Sequence, residues 1–239
     1  MEMSGYTDLH LHLIPGVDDG ARTIEDSLAM ATALVALGFE RAAPSPHHRP
    51  EYASAEAGLK GLEETKLALA AAGIPLELHV NAEHFFLDER LLTELPTLRK
   101  LGGTTLLIEA PYTTTLPMLP EIIFRLKLKG TTPLIAHPER CLEFEKKGRA
   151  AEAVHAGALL QLDIGALIGR YGKVAQKLAK TLLDDGLYAV AATDLHSPVG
   201  AQAWVAEAIA ALGKGWGAAS VQRLLSDNPL ALLRGQPLP

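Results

Sequence analysis

Apolar positions along the chain cluster in seven short runs that have the length of buried β-strands. The runs are Tyr6–His12, Phe39–Pro44, Leu76–Val80, Thr104–Ile108, Thr132–Ala136, Ala158–Asp163 and Leu187–Ala192. Helical patterns separate and follow them, at Thr23–Leu37, Ala55–Ala72, Asp88–Lys100, Leu116–Lys129, Gly148–His155, Lys173–Asp185, Ala201–Leu212 and Ala218–Leu225. Strands that alternate with helices, without a long linker, predict a parallel sheet of the α/β class.

The length of 239 residues suits one large domain, and we expect residues 1–239 to form it. The sequence carries neither a Rossmann nor a P-loop glycine motif. A closed or nearly closed α/β barrel is therefore the form that we expect. In such a barrel, active sites are built at the carboxyl ends of the strands.

Composition and charge exclude several partners. Hydrophobic residues make up 48% of the chain, and the net charge is −6 without a basic run. Nucleic acid is not expected as a partner, because phosphate contacts need clustered Lys and Arg. No apolar run approaches the ~18 residues of a bilayer span, so we expect no membrane insertion. The opening residues suggest no signal peptide, and the single cysteine, Cys141, forms no intrachain disulfide. These features predict a cytoplasmic protein and leave its oligomeric state open.

The first strand run ends in two histidines, His10 and His12, that are two residues apart. Residues at this spacing in a strand point to the same face, so both imidazoles project together. Imidazole is a common ligand for zinc, manganese and iron. Asp194 and His196 repeat the spacing after the seventh run. The two pairs indicate a metal site shared between the first and last strands.

Most of the other strand runs also end in residues that bind metals. These residues are His47, His48, Glu83, Glu109 and His137. A mixed set of His, Asp and Glu suits divalent ions such as Mn, Fe or Zn. The set exceeds what one ion needs, so two or three ions are expected, as in two-metal phosphoester hydrolysis.

Single members of the set have simpler interpretations. Glu109 fits a salt bridge, and Glu83 fits a charge at a helix N-terminus. Asp18 and Asp19 lie between Gly16 and Gly20, a composition typical of a turn. It is the joint pattern that favours a metal centre.

The motifs resemble those of a known family. The segment Asp8-Leu9-His10-Leu11-His12-Leu13-Ile14-Pro15-Gly16-Val17-Asp18-Asp19-Gly20 resembles the opening motif of bacterial PHP-domain tyrosine phosphatases, the manganese-dependent CpsB/YwqE-type enzymes of capsule and exopolysaccharide systems. Pro46-His47-His48, Leu107-Ile108-Glu109, Ala136-His137-Pro138-Glu139-Arg140 and Thr193-Asp194-Leu195-His196 are similar to the later motifs of that family. The motifs follow in order along nearly the whole chain.

This resemblance implies a distorted (β/α)7 TIM-like barrel, the PHP domain, with a trinuclear site in which manganese is the first choice and iron or zinc are alternatives. The implied metal ligands are His10, His12, His47, Glu83, Glu109, His137, Asp194 and His196. The implied catalytic residues are Asp18 near the site, Arg140 facing the substrate phosphate, and His137. The implied substrate is a phosphotyrosine protein, with a membrane-associated tyrosine kinase as the implied partner.

The chain departs from the family pattern at one place. Family members commonly carry an arginine a few residues after the Asp-x-His motif, whereas Ser197–Gln202 contains none. Because arginine is the better bidentate phosphate clamp, the substrate stays open. The alternatives are a PHP phosphatase acting on a small molecule such as histidinol phosphate, a phosphodiesterase, and a non-catalytic regulatory protein that keeps the fold.

Cys141 suggests a rival mechanism that the sequence disfavours. A cysteine-dependent tyrosine phosphatase needs arginine six residues after the nucleophile, where this chain has Lys147. The intervening segment carries two glutamates and no glycine, and an acidic loop repels phosphate.

Overall fold

Short parallel strands alternate with helices in the computed structural model, which describes residues 5–86 and 90–238. The strands in the described residues are β1 (Tyr6–Asp8), β2 (Phe39–Ala42), β3 (His47–His48), β4 (Glu77–Leu78), β5 (Glu83–Phe85), β6 (Thr105–Glu109), β7 (Thr132–Ala136), β8 (Leu159–Asp163) and β9 (Tyr188–Ala192). The α-helices are α1 (Ile24–Ala36), α2 (Ala55–Ala71), α3 (Arg90–Glu94), α4 (Leu119–Leu128), α5 (Leu142–Glu145), α6 (Arg149–His155), α7 (Gly172–Asp184), α8 (Ala201–Gln222) and α9 (Asn228–Leu233).

Every strand pair within the described residues is parallel, which confirms the predicted α/β class. One sheet has the order β1-β2-β4, and the other has the order β3-β5-β6-β7-β8-β9. The chain beyond β1 runs beside the chain beyond β9, where Leu11 pairs with Leu195. The amide of Asp194 donates to the carbonyl of His10 at 2.8 Å, and that of His12 donates to the carbonyl of Leu195 at 2.9 Å. These bonds join the two sheets beside the candidate ligand pairs, His10 with His12 and Asp194 with His196.

Three predicted strand runs are shorter than expected. The first ends at Asp8 rather than His12, because the Asp8 carboxylate accepts hydrogen bonds from the amides of His10 and Thr193, each at 3.2 Å. The Asp8 side chain thus accepts backbone hydrogen bonds that a neighbouring strand would otherwise accept. The second run ends at Ala42, before Pro44 and Pro46, which have no N–H to donate. The third covers only Glu77–Leu78, and Glu83 belongs to a separate strand.

The helices also differ from the prediction in two places. The helix expected over Asp88–Lys100 ends at Glu94, because the residue before Pro96 avoids the helical region; the start of that prediction falls partly outside the described residues. α8 contains the two helices expected at Ala201–Leu212 and Ala218–Leu225, separated at Gly217, whose φ of 83° and ψ of 164° are not helical; the first of them runs past Leu212 to this break.

The core lies between the strands and the surrounding helices, with a smaller apolar cluster among the strands. Leu9, Leu107, Leu134 and Val190 are each fully buried in that smaller cluster, and Leu232 of α9 packs against them. Leu107 and Glu109 are two residues apart on β6 and share a face. The apolar cluster therefore lies beneath the polar residues at the strand ends. Among the described residues, no helix has the length and apolar character that crossing a bilayer requires.

Candidate metal centre

The ring nitrogens of His10 and His12 meet two carboxylates in the interior. His10 Nε2 lies 3.2 Å from Asp194 Oδ1 and 3.3 Å from Glu83 Oε1. His12 Nε2 lies 3.3 Å from the same Asp194 oxygen. All four side chains are buried. The structure thus brings together the first and last ligand pairs of the sequence, although His10 and His12 follow the first strand rather than end it.

Ligand atoms of the candidate residues converge in four overlapping groups, within each of which they lie no more than 4.8 Å apart. The groups are His12, Asp19, His47 and His196; His10, His137 and Asp194; His10, His12 and Glu83; and His47, Glu83 and Glu109. All eight candidate ligands appear in them. Asp19 appears as well, although the sequence assigned it only to a turn. A signal for Asp19 was present in the sequence, because its neighbour Asp18 was a candidate site residue.

Asp18 orients a candidate ligand through a hydrogen bond. His12 Nδ1 donates to Asp18 Oδ2 at 2.6 Å, and the carboxylate also accepts from the amides of Gly20 at 3.0 Å and His47 at 3.2 Å. With the proton on Nδ1, the Nε2 lone pair of His12 faces the other candidate ligands. Gly20 permits this approach, because a Cβ there would lie 2.3 Å from the His12 Cβ.

In two more histidines, the ring nitrogen Nδ1 also makes a hydrogen bond. His196 Nδ1 donates to the carbonyl of Asp194 at 2.8 Å, which leaves Nε2 facing Asp19 at 3.6 Å. His10 Nδ1 lies 2.7 Å from the side-chain amide of Gln161. The contacting atom is Gln161 Nε2, a donor, and the amide oxygen has no hydrogen-bond partner. A half-turn of the amide would place that oxygen on the ring, so that Nδ1–H would donate to it and leave Nε2 for a metal.

Opposite charges neutralise one another in the interior of the cluster. Burial alone would lower the pKa of His12, but hydrogen bonds with the carboxylates of Asp18 and Asp194 raise it well above its usual value. Burial alone would raise the pKa of Asp194, but the charge of His10 and the hydrogen bond from His12 hold it well below its usual value. Buried charges persist only when they are paired in this way.

The two ends of the cluster differ in charge. Burial opposes protonation of His47, but hydrogen bonds with Asp19 and Glu83 raise its pKa to about 9. His137 is the opposite case, because burial and the nearby charge of Arg140 lower its pKa to about 4. At neutral pH, His137 is therefore an uncharged imidazole, the form that binds metals.

The donor set fits divalent transition metals. Four buried atoms of the cluster make no hydrogen bond of good geometry: His47 Nδ1, Glu83 Oε2, Glu109 Oε2 and His137 Nδ1. The first two lie 2.7 Å from each other and Glu109 Oε2 lies against Arg49, whereas His137 Nδ1 is unpaired. Buried polar atoms are almost always hydrogen-bonded, so an unpaired imidazole nitrogen among crowded ligand atoms needs an explanation. A cation that accepts lone pairs from imidazole and carboxylate would provide it.

Backbone strain occurs at two of the candidate ligands. His137 has a φ of 32° and Asp194 a φ of 51°, and they are the two non-glycine residues with positive φ in the part of the chain that the structure describes. Left-handed backbone costs of order 1 kcal/mol or more for such residues and tends to occur at functional sites. His137 immediately follows the end of β7, and Asp194 lies two residues after the end of β9. The unusual φ turns both side chains toward the cluster.

Arg140 lies at the edge of the cluster in a fixed position. Its Nη1 donates to Asp194 Oδ2 at 2.5 Å and to Asp163 Oδ2 at 3.3 Å, and Nη2 donates to Tyr112 Oη at 2.9 Å. The guanidinium carbon lies 4.2 Å from the centre of the Tyr171 ring and 5.0 Å from that of Tyr112. A cation thus stands beside the candidate ligands between two tyrosines.

Arg49 is a second cation at the cluster, and sequence reasoning missed it. Its guanidinium pairs with Glu109 and lies 4.2 Å from the centre of the Phe85 ring. The salt bridge that was the simpler interpretation of Glu109 is therefore present, and Glu109 also lies within one of the ligand groups. The signal that could have found Arg49 is its position directly after His47 and His48.

Several other polar residues face away from the cluster or support it indirectly. His84 Nε2 donates to the carbonyl of Arg99 at 3.1 Å, and His79 pairs with Glu77 at 3.2 Å. Asp163 caps a turn by accepting from the amide of Gly165 at 2.8 Å, besides its contact with Arg140.

Cys141 is buried and has no phosphate cradle around it. Its thiol donates to the carbonyl of Ala110 at 3.3 Å. Burial and the charge of Glu139 raise its pKa far above the usual range, so the reactive thiolate is scarce.

Comparison with known proteins identifies similar sequences. The family model for capsular polysaccharide synthesis proteins of the CpsB/CapC type matches residues 6–234. The tyrosine-protein phosphatase YwqE of Bacillus subtilis is 30% identical over 234 residues, which cover 96% of this chain and 92% of that protein. The tyrosine-protein phosphatase CpsB of Streptococcus pneumoniae is 27% identical over 246 residues, which cover 96% of this chain and 98% of that protein.

Solved structures confirm the predicted barrel-type fold. A crystal structure from work on YwqE and CpsB, described as unique metal-dependent tyrosine phosphatases, matches with a TM-score of 0.89 at 30% identity, over 97% of this chain and 96% of that one. Histidinol phosphate phosphatase from Lactococcus lactis, solved with zinc, L-histidinol and phosphate, matches with a TM-score of 0.58 at 11% identity, over 89% of this chain and 94% of that one. The second likeness concerns the fold alone.

Proposed function

The chain belongs to the capsular polysaccharide synthesis family CpsB/CapC, and on that premise we propose that it is a metal-dependent protein-tyrosine phosphatase acting in capsule or exopolysaccharide regulation. The family match confirms the resemblance inferred from the motifs. The observation that carries the proposal is the convergence of all eight candidate ligands in four overlapping groups.

The proposed ligands are His10, His12, His47, Glu83, Glu109, His137, Asp194 and His196. We propose three ions per chain, with manganese as the first choice, because the four overlapping ligand groups exceed what one ion needs. The chemistry that such ions supply when bound is activation of a water molecule and neutralisation of charge on the phosphoryl oxygens. The contribution of the chain itself is to hold the ligands, orient them and bind the substrate.

Arg140 is proposed to bind the substrate phosphate. Its planar guanidinium suits bidentate contact with phosphoryl oxygens, and the two tyrosine rings beside it limit its movement. Arg49 offers a second guanidinium at the opposite ligand group, in a chain that lacks an arginine after His196. The exposed face of Tyr112 provides an aromatic surface against which the ring of a phosphotyrosine can pack.

The charge states favour an aryl phosphate as substrate. The P–O bond to the leaving oxygen breaks as a new P–O bond to water forms, and the leaving oxygen then needs a proton or must depart as an anion. His137 is neutral, with its pKa at about 4, and despite burial the hydrogen bond from His12 lowers the pKa of Asp18. Neither group holds a spare proton at neutral pH. A phenolate, with a pKa of ~10, departs more readily as an anion than an alkoxide does.

The remaining parts of the proposal concern the setting of the enzyme. We propose a phosphotyrosine protein as substrate, a membrane-associated tyrosine kinase as one such protein, and a cytoplasmic location. The whole chain is proposed to act as one domain.

A second candidate is a small-molecule phosphatase of the histidinol phosphate type. The absence of an arginine in Ser197–Gln202 favours it. The exposed tyrosine beside Arg140 argues against it, because an alkyl phosphate gains less from an aromatic surface.

The experiment that separates the two loads the protein with Mn²⁺ and compares three substrates. They are a phosphotyrosine peptide, the phosphoserine peptide of the same sequence, and histidinol phosphate. The expected kcat/KM is at least about tenfold higher for phosphotyrosine than for either other substrate, equivalent to ~1.4 kcal/mol in the barrier. Higher kcat/KM for histidinol phosphate would replace the proposal by the second candidate. Arg140→Lys keeps the charge but loses the planar fork, and it should raise KM for all substrates.

A further inference from the structure

A groove of about 740 Å³ lies between α6 and α7, and none of the candidate metal ligands lines it. Its floor is apolar, with Phe144, Ala150 and Leu182 buried beneath it. Val174 on α7 is 62% exposed at its wall. Val174 together with the apolar floor gives the groove a continuous apolar surface that another chain can cover.

The rim of this α6/α7 groove is basic. Lys146, Lys147, Lys173 and Lys177 line it, and all four are exposed. Two acidic residues, Glu145 and Asp185, also line it. Four lysines against two carboxylates give a local excess of positive charge in a chain whose net charge is −6. A negatively charged segment would therefore be attracted to this groove rather than to most of the surface.

The groove begins beside the residues that hold Arg140. The Tyr171 ring packs on the Arg140 guanidinium, and Lys173 follows two residues later, within about 8 Å of Cα–Cα distance. On the other wall, Lys146 and Lys147 follow Arg140 by way of the short helix α5. These chain connections place the end of the groove that holds Lys146, Lys147 and Lys173 on the Arg140 side of the molecule.

We propose that the α6/α7 groove binds an acidic, partly apolar segment that flanks the phosphorylated residue in the substrate protein. This inference rests on the proposed function. Apolar side chains of the segment cover Val174 and the floor, while its carboxylates face Lys173, Lys177 and the lysines of the opposite wall. The groove thus selects the protein substrate, while the metal centre selects the phosphate.

The expected contribution follows from exposed ion pairs. One such pair changes an equilibrium by about two- to fivefold. Two or three pairs together should raise kcat/KM for an acid-flanked substrate by about tenfold at low ionic strength. The gain should shrink as added salt screens the charges.

The experiment uses two phosphotyrosine peptides that are identical around the phosphotyrosine. One carries a flank of Asp, Glu and Leu, and the other carries Asn and Gln in place of the acids, with each flank tested on either side. For the protein as it stands, kcat/KM should be about tenfold higher with the acidic flank, through KM rather than kcat. p-Nitrophenyl phosphate has no flank and serves as the reference substrate. In Lys173→Glu/Lys177→Glu, kcat/KM for the acid-flanked peptide, divided by kcat/KM for this reference, should fall by about tenfold. The matched control, Lys129→Glu/Lys214→Glu, makes the same charge change at exposed lysines outside the groove and should keep the ratio.

Binding measured without catalysis separates failure of this inference from failure of the proposed function. Fluorescence anisotropy of the unphosphorylated acid-flanked peptide should show about tenfold weaker binding to Lys173→Glu/Lys177→Glu than to the control variant. If the peptide binds in this pattern but no phosphopeptide is hydrolysed, the proposed function fails and the acidic ligand of the groove stands. Equal kcat/KM for the two peptides, or a preference that survives the charge reversal, overturns the inference. Binding of anionic lipid vesicles instead of the peptide, or a dimer that buries the groove, would overturn it as well.

Discussion

Individual side chains at the centre are held by pairs of opposite charge. Asp18 holds His12, and Glu83 lies against His10, His47 and His137. Isolated charges in an interior cost many kcal/mol, so such a cluster is stable only because its members neutralise one another. The same arrangement presents lone pairs toward a common volume. The folded chain therefore already offsets the free-energy cost of burying the charged side chains of the candidate metal site.

His84 gives a pH dependence that can be measured apart from the metal. Burial, and then the charge of His48, lower its pKa to about 4, whereas the unfolded value is ~6.5. Below pH 6.5 the unfolded chain takes up a proton that the folded chain does not, so stability falls as the pH drops toward 4. We expect the free energy of unfolding, measured with urea in the presence of EDTA, to fall between pH 7 and pH 5. The fall should be about 2 kcal/mol larger for the unaltered protein than for His84→Gln. An equal loss in both would mean that His84 protonates freely in the folded state.

Cys141 is predicted to be dispensable for catalysis. Cys141→Ser keeps a hydroxyl that can donate to the carbonyl of Ala110, and turnover of p-nitrophenyl phosphate should stay within about twofold. In the folded protein the thiol should resist iodoacetamide at pH 8, because its pKa is raised by burial. Inactivation by the substitution or by alkylation would instead favour a thiolate mechanism.

Among the elements, the loop between β1 and α1 determines the shape of one side of the centre. Gly20 packs against the backbone and Cβ of His12, while Gly16 has a φ of 69° and open space around it. The loop carries both Asp18 and Asp19. Its close packing on the strand continuation therefore fixes two carboxylates relative to the histidines.

Gly20→Ala and Gly16→Ala form a matched pair that tests this loop. Alanine at position 20 would clash with His12 and displace Asp18, so metal affinity should fall by about tenfold or more. Alanine at position 16 meets nothing and should cost only about 1 kcal/mol of unfolding free energy through its positive φ. Metal titration and urea unfolding of both variants measure the difference. Equal metal affinities would show that loop packing does not position the ligands.

The sequence predicted most elements because buried strands and amphipathic helices leave periodic patterns. It missed the ends of strands near the site, where side chains such as Asp8 replace ladder bonds and Pro44 and Pro46 interrupt pairing. The candidate ligands could be named because strand ends converge in a parallel barrel. Arg49 was missed because its contact with Glu109 spans sixty residues of sequence, and its position directly after His48 was the one local signal.

At the scale of the whole molecule, two parallel sheets meet beside the metal centre, and the basic α6/α7 groove opens near its Arg140 side. The candidate ligands come from strand ends throughout the chain, so no single segment can form the proposed centre alone. The central claim is therefore that folding of the entire chain creates a multinuclear metal site that hydrolyses phosphate esters.

Metal content measured together with turnover tests that claim most directly. Elemental analysis of the purified protein should find more than one divalent transition-metal ion per chain, approaching three after loading with Mn²⁺. Removal by EDTA should abolish hydrolysis of p-nitrophenyl phosphate, Mn²⁺ should restore it, and His12→Ala or Asp194→Ala should lose both metal and activity. Less than one ion per chain, together with turnover that EDTA leaves intact, would contradict the account.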